Sequence, residues 1–271
     1  MVSMKSWGLL LDPAPRSGPA NMAIDEYLFA CLGKEPRTTV RFYSWERPTA
    51  SLGYSQVAAK TLDLAYCRQN GVDVVRRITG GKLVLHWREI TYSVASSDTE
   101  TFSATLADSY RRISSGLIRG LEKMGLRARL AGPAPSSYSR GNMPCFAYPA
   151  RDEIEIDGRK IIGSAQKRVA GRFLQHGSIP LQGDEGLLRR VSLANDEDSD
   201  LKRTSVSEEL GREVNREWAV GCLVKGVAEH FGVEFKPLTL GAAAQKEIRR
   251  LQKGRYEDDA WTLGRSAGSE Y

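Results

Sequence analysis

Cys145 stands between Pro144 and Phe146, in a stretch rich in proline, serine and glycine from Ala131 to Pro149. A thiol placed there lies off any amphipathic face, and loops carried on a rigid scaffold are frequent sites of chemistry. The thiolate is the reactive form, and neighbouring cations favour it. Arg140, Arg151 and Lys160 are the nearest candidates along the chain. A casual thiol is the bland alternative. Lys160 follows Asp157-Gly158, a two-residue hairpin signal, so its position is rigid. The small residues Gly163, Ser164 and Ala165 come next and leave room for a substrate chain. A lysine held there can meet a carbonyl or an oxyanion with a point charge; an exposed strand lysine would read the same way.

Two further stretches carry polar chemistry. Arg76, Arg77 and Lys82 surround Thr79, Gly80 and Gly81, a turn whose small residues let the backbone approach a phosphate, a carboxylate or a phosphopantetheine arm. It has neither the spacing nor the following helix of a phosphate-binding Walker loop, and a plain hairpin with surface cations fits it equally. His86 follows as a ligand, an acid–base group or a packed structural histidine. His176 and Gly177, in Gln175-His176-Gly177-Ser178, offer a cavity wall or a packed core histidine.

These residues need elements to hold them. Helical spacing of Ala23, Ile24, Tyr27, Leu28 and Cys31 predicts a helix over 22–32, with Asn21 as its cap. Further helices are expected over 60–70, 102–124, 214–231 and 240–252, three of them ended by Gly71, Gly125 and Gly232. Alternation predicts strands over 39–45, 72–78, 89–95, 154–156, 159–168 and 173–181. Helices mixed with short antiparallel strands argue an α+β fold, with mixed, largely antiparallel sheets flanked by helices. The chain reads as a single catalytic domain over 1–271, of which 183–271 is a helical, charged C-terminal part.

The composition is that of an ordinary globular chain, with 41% hydrophobic and 27% charged residues. No run of roughly 18 apolar residues predicts a membrane span. The N-terminus lacks a signal-peptide core, so a cytoplasmic protein is expected. A formal charge of +6 favours an acidic protein partner over nucleic acid, since no nucleic-acid motif accompanies it. The four cysteines form no metal or redox spacing, so no metal is expected. Three of them are expected to be buried and inert.

Taken jointly, the segments resemble the biotin/lipoate protein ligase family, and within it the lipoate branch. The resemblance runs from about Trp7 to Leu181. It rests on Asn21-Met-Ala-Ile-Asp25-Glu26, Arg41-Phe-Tyr-Ser-Trp45, Pro48 to Gln56, Arg76-Arg77-x-Thr79-Gly80-Gly81 with His86, Thr91-Tyr92-Ser93, Gly158 to Gln166 and Leu174 to Ser178. Pro144-Cys145-Phe146 resembles the cysteine-dependent octanoyltransferases of lipoate assembly. That resemblance implies an octanoyl group taken from the phosphopantetheine of acyl carrier protein and passed to a lysine of a lipoyl domain, such as the glycine cleavage H protein or a dehydrogenase E2 subunit. It implies Cys145 as nucleophile and Lys160 at the acyl carbonyl. It implies Arg76, Arg77, Thr79, Gly80, Gly81 and His86 around the acyl group, with no cofactor required. The sequence departs from the family at Trp87, Lys82 and Tyr148 to Asp152. An ATP-dependent lipoate–protein ligase, an amidotransferase between lipoyl domains and a non-catalytic carrier-binding module are the competing readings.

Overall fold

Along 38–43 and 89–96 every side chain is buried, yet apolar and polar residues alternate. A strand's period of two sends such residues to opposite faces. Val40, Phe42, Ile90, Tyr92 and Val94 enter one core cluster. Arg41 and Tyr43 point the other way, as do Glu89, Thr91 and Ser93, and there they bond one another and Asp25. One sheet thus carries an apolar face and a polar, fully buried one.

The computed structural model describes residues 5–33, 36–102, 105–132, 153–184, 186–194 and 203–264. Its strands are β1 (Lys5–Leu11), β2 (Thr38–Tyr43), β3 (Thr49–Leu52), β4 (Asp73–Arg76), β5 (Val84–His86), β6 (Glu89–Ser96), β7 (Arg129–Leu130), β8 (Ile154–Ile156), β9 (Arg159–Val169), β10 (Arg172–Pro180) and β11 (Val233–Pro237). Its helices are α1 (Gly18–Ala30), α2 (Ala58–Thr61), α3 (Leu64–Gln69), α4 (Leu106–Lys123), α5 (Leu187–Val191), α6 (Val206–Leu210), α7 (Arg216–Phe231), α8 (Ala242–Leu251) and α9 (Asp259–Thr262). The large sheet runs β11-β1-β2-β6-β10-β9-β8-β7, and a small one runs β4-β3-β5. β1 is parallel to both β11 and β2; the other ladders of the large sheet are antiparallel. The α+β reading therefore holds.

Helices α4 and α7 cover the apolar face, through Ile113, Leu117, Leu121, Leu223 and Val227. Glycines permit their close approach: a Cβ on Gly226 would lie 2.1 Å from the Gly120 nitrogen. Helix α1 covers the polar face through Met22, Ala23, Ile24 and Leu28, and Ile248 and Tyr256 pack with them. A third cluster joins the small sheet to α5 through Leu52, Leu85, Leu188 and Val191.

Several expectations shift. Helix α1 starts at Gly18 with Ser17 as its cap, and Asn21 lies inside it, donating to the Arg16 and Ser44 carbonyls. Pro19 in the first turn makes that earlier start favourable. The helix expected over 60–70 is two, because Asp63 caps a new turn. Thr105 caps α4, so Phe102 precedes it and packs in the core. The segment 72–86 is no hairpin: β4 and β5 flank β3 from opposite sides. The type I′ turn is present, with φ of 49° at Asp157 and 78° at Gly158. Within 183–271, β11 extends the large sheet and α7 packs on α4, so that part holds a strand as well as helices.

Candidate functional site

The polar face of the large sheet meets the small sheet at a narrow cavity. Strands β9 and β10 supply one wall with Gly163, Ser164, Ala165, His176, Gly177 and Ser178; β3, β5 and the end of β4 supply another with Ser51, Val84, His86 and Arg77. Met22, Tyr43 and Thr91 complete it. Gly177 is required by that wall, because a Cβ there would lie 2.5 Å from the Gly163 carbonyl oxygen and 2.6 Å from the Ser164 Oγ.

The buried polar groups around the cavity bond one another. Arg41 sits at 0% exposure and bonds Asp12 and Asp25, with its guanidinium also donating to Asn21. Asp25 further accepts from Tyr43 and Ser93, and lies 3.0 Å from the Nδ1 of His176. Burial raises the Asp25 pKa, but the His176 hydrogen bond and Arg41 outweigh it and hold the carboxyl below its usual range. Burial lowers the His176 pKa despite Asp25. Its Nε2 lies 2.7 Å from Thr79 Oγ1. Burial pushes the Tyr92 hydroxyl, bonded to Ser164, up to about 12.

His86 holds a second set. Its Nε2 lies 2.8 Å from Ser51 Oγ and its Nδ1 lies 2.9 Å from Glu89 Oε1. Trp45 stacks on its ring at 4.1 Å. The Glu89 carboxyl also accepts from Trp45 Nε1, Thr91 and Ser178.

Lys160 is fully buried, and its Nζ pairs with Glu153 Oε1 at 2.6 Å. It stands three positions before Gly163 on β9 and does not itself line the cavity. Cys145 lies outside the described residues.

The cavity thus gathers Arg77, His86, Gly163, Ser164, Ala165, His176 and Gly177 among the expected residues. Arg76, Thr79, Gly80 and Gly81 lie beside it. Arg76 donates to the carbonyls of Gly53, Tyr54, Gln56, Trp261 and Thr262, which turns it toward the C-terminal segment. The Gly80-Gly81 turn packs on Gly53, where a Cβ would lie 1.9 Å from the Gly81 carbonyl oxygen. Arg77 folds over the turn, donating to the Gly80 and Lys82 carbonyls. Glu89 escaped the sequence reading, and Ser51, Thr91 and Ser178 stood in the segments that carried the resemblance without being given a role. Their signal is polar residues alternating with Ala50, Leu52, Ile90, Tyr92 and Ile179 in strands buried on both faces.

Of the cysteines described, only Cys67 is buried, and burial raises its pKa; Cys31 is exposed and Cys222 half-buried. The expectation of three buried thiols is corrected accordingly. Among the described residues no group of three or more His, Cys, Asp or Glu could hold a metal ion. Nor is any helix among them long and apolar enough to cross a membrane.

Comparison with known proteins places this geometry. Residues 17–228 match the lipoyl protein ligase A/B catalytic domain. Octanoyltransferase LipM of Geobacillus kaustophilus is 38% identical over 261 residues, 90% of this chain and 94% of that protein. Octanoyltransferase LipM of Clostridioides difficile is 37% identical, over 97% of this chain and all of its own length. Among solved structures, lipoate-protein ligase A bound with ATP superposes with a TM-score of 0.82 at 23% identity, covering 96% of this chain and 99% of that one. A bi-partite lipoate protein ligase studied with its E2 lipoyl domain from Thermoplasma acidophilum gives 0.81 at 23% identity, covering 97% and 99%. These likenesses at 23% identity establish a shared fold, and the family match over most of the chain establishes more: the chain belongs to the lipoyl protein ligase A/B catalytic-domain family.

Proposed function

We propose that this octanoyltransferase of protein lipoylation takes its acyl group as a thioester from acyl carrier protein and passes it through Cys145 to a lipoyl-domain lysine. The observation that carries this reading is the narrow cavity walled by Gly163 to Ala165, His86 and His176, with the fully buried Lys160 on the same strand as Gly163, in a chain 38% identical to an octanoyltransferase. The cavity takes the alkyl chain against Met22, Val84 and the small residues Gly163 to Ala165. Arg77, His86, His176 and Gly177 line the same space. Thr79 fixes His176, while Arg76, Gly80 and Gly81 shape the small-sheet wall from behind.

In the first step the Cys145 thiolate attacks the thioester carbonyl, the carrier's thiol leaves, and an octanoyl thioester forms on Cys145. In the second, the neutral amine of the acceptor lysine attacks that thioester and the Cys145 sulfur leaves. Splitting one transfer into two easier ones is the logic of covalent catalysis. Lys160 stabilises the oxyanion in both steps, where one positioned donor is worth roughly 10²–10³ in rate. The thioester is already activated, so neither ATP nor a cofactor is needed. A free Cys145 thiol requires a reducing compartment, which supports the cytoplasm. The +6 charge supports steered docking of acidic carrier and lipoyl domains.

Octanoyl-acyl carrier protein and an apo lipoyl domain, mixed with the enzyme without ATP, test this reading. The expected result is octanoylation of the acceptor lysine, falling by about 10³-fold or more in Cys145→Ser. Transfer at the parent rate in that variant would remove Cys145 from the mechanism. Octanoylation only from free octanoate and ATP would make the enzyme a ligase.

A further inference from the structure

Aminolysis of a thioester has a proton to dispose of. A lysine amine with a pKa of about 10.4 is neutral in only about one molecule in 2,500 at pH 7. Once it attacks, the nitrogen must lose a proton before the amide is stable. Resting on the covalent reading above, we propose that Ser51, His86 and Glu89 form the relay that takes this proton.

The hydrogen bonds fix the direction of the relay. Arg77 Nη1 donates to Ser51 Oγ at 3.1 Å and to the Ser51 carbonyl at 2.7 Å. The Ser51 hydroxyl, receiving from Arg77, has its own hydrogen left for His86 Nε2 at 2.8 Å. Glu89 accepts at Nδ1, which sets the tautomer with Nδ1–H and leaves Nε2 as the proton acceptor. Glu89 cannot turn away, since Trp45, Thr91 and Ser178 also donate to it. Trp45 stacks on the ring and fixes its plane. The groups facing His86 are thus Glu89, Ser51 with Arg77 behind it, and Trp45, while His176 lines the same cavity.

Placement agrees with the role. Ser51 and His86 both line the acyl cavity. Ser178, bonded to Glu89, pairs with Gly163 in the β9–β10 ladder, so the relay sits at the Lys160 end of that wall. Glu89 and Ser178 also border a second cavity, which opens to solvent, so the relay lies between two spaces. The other histidine is built differently. His176 ends on Thr79, which does not line the cavity, and its Asp25 is shared among Arg41, Tyr43 and Ser93.

The balance is simple. The C–N bond forms, the C–S bond to Cys145 breaks, and one proton leaves nitrogen for His86 through the Ser51 hydroxyl. It then returns to the departing Cys145 thiolate.

The test is a single-turnover experiment on full-length enzyme. Octanoyl-acyl carrier protein first loads Cys145, and apo lipoyl domain is then added across pH 6 to 10, with acylation and transfer timed separately. General-base catalysis contributes about 10²–10⁴ in rate. Ser51→Ala and His86→Gln should therefore slow transfer at pH 7 by about 10² more than they slow acylation. The deficit should shrink as pH rises toward the amine's own pKa. Ser51→Ala keeps the histidine, its stack and Glu89, so it gives the answer if His86→Gln does not fold. Equal losses in both steps, or a transfer deficit constant with pH, would overturn the relay. A parent enzyme that never acylates would overturn the covalent reading and the relay with it.

Discussion

Lys160, proposed above to meet the acyl carbonyl, is also tied into the fold by an ion pair. A buried lysine costs several kcal/mol of lost hydration, repaid here in part by Glu153 at 2.6 Å. Removing one partner leaves the other buried without it, so Lys160→Met should destabilise the fold by about 3 kcal/mol. The double variant Lys160→Met/Glu153→Gln should recover most of that in a denaturant titration while transfer stays lost. Recovery of transfer alongside stability would make Lys160 a structural residue only. The position was legible in the sequence, because Asp157-Gly158 fixes the hairpin and so the strand. The partner was not: Glu153 is merely one acidic residue among 33 until the β8–β9 ladder is formed.

The elements that position the site were read unevenly, for a physical reason. Helices α1, α4 and α7 and strands β6, β9 and β10 were recovered, because capping residues, glycine stops and alternation are local signals. Strands β1 and β11 were missed. They pair in parallel, β1 with residues more than two hundred positions away, and nothing local announces that. The same long reach reinterprets Arg76. The sequence offered it as a ligand cation, whereas the fold gives it five backbone carbonyls from two distant segments, and Trp261 Nε1 donates back to its own carbonyl. It anchors α9 onto the small sheet. Arg76→Ala leaves those acceptors unpaired and should cost about 3 kcal/mol or more. Arg76→Lys should cost nearly as much, since one ammonium cannot span the fork. Limited proteolysis should then cleave first after residue 238, and unchanged resistance would mean that the aromatic packing of Tyr54, Tyr256 and Trp261 holds that segment alone.

At the scale of the whole molecule, the arrangement is one sheet with two buried faces of opposite character. The apolar face, closed by α4 and α7, supplies stability; the polar face, closed by α1 and the small sheet, supplies the cavity. The C-terminal part belongs to this body through β11, α8 and the bonds of Arg255 and Tyr256 to Glu26. What the fold leaves to chemistry is the nucleophile. Incubating the enzyme with octanoyl-acyl carrier protein, without ATP or acceptor, and weighing the intact protein tests that most directly. The account predicts a single octanoyl adduct, released by hydroxylamine, mapping to the peptide that holds Cys145 and absent from Cys145→Ser. No adduct under conditions in which the acceptor is nonetheless octanoylated, or an adduct that persists in Cys145→Ser, would contradict it.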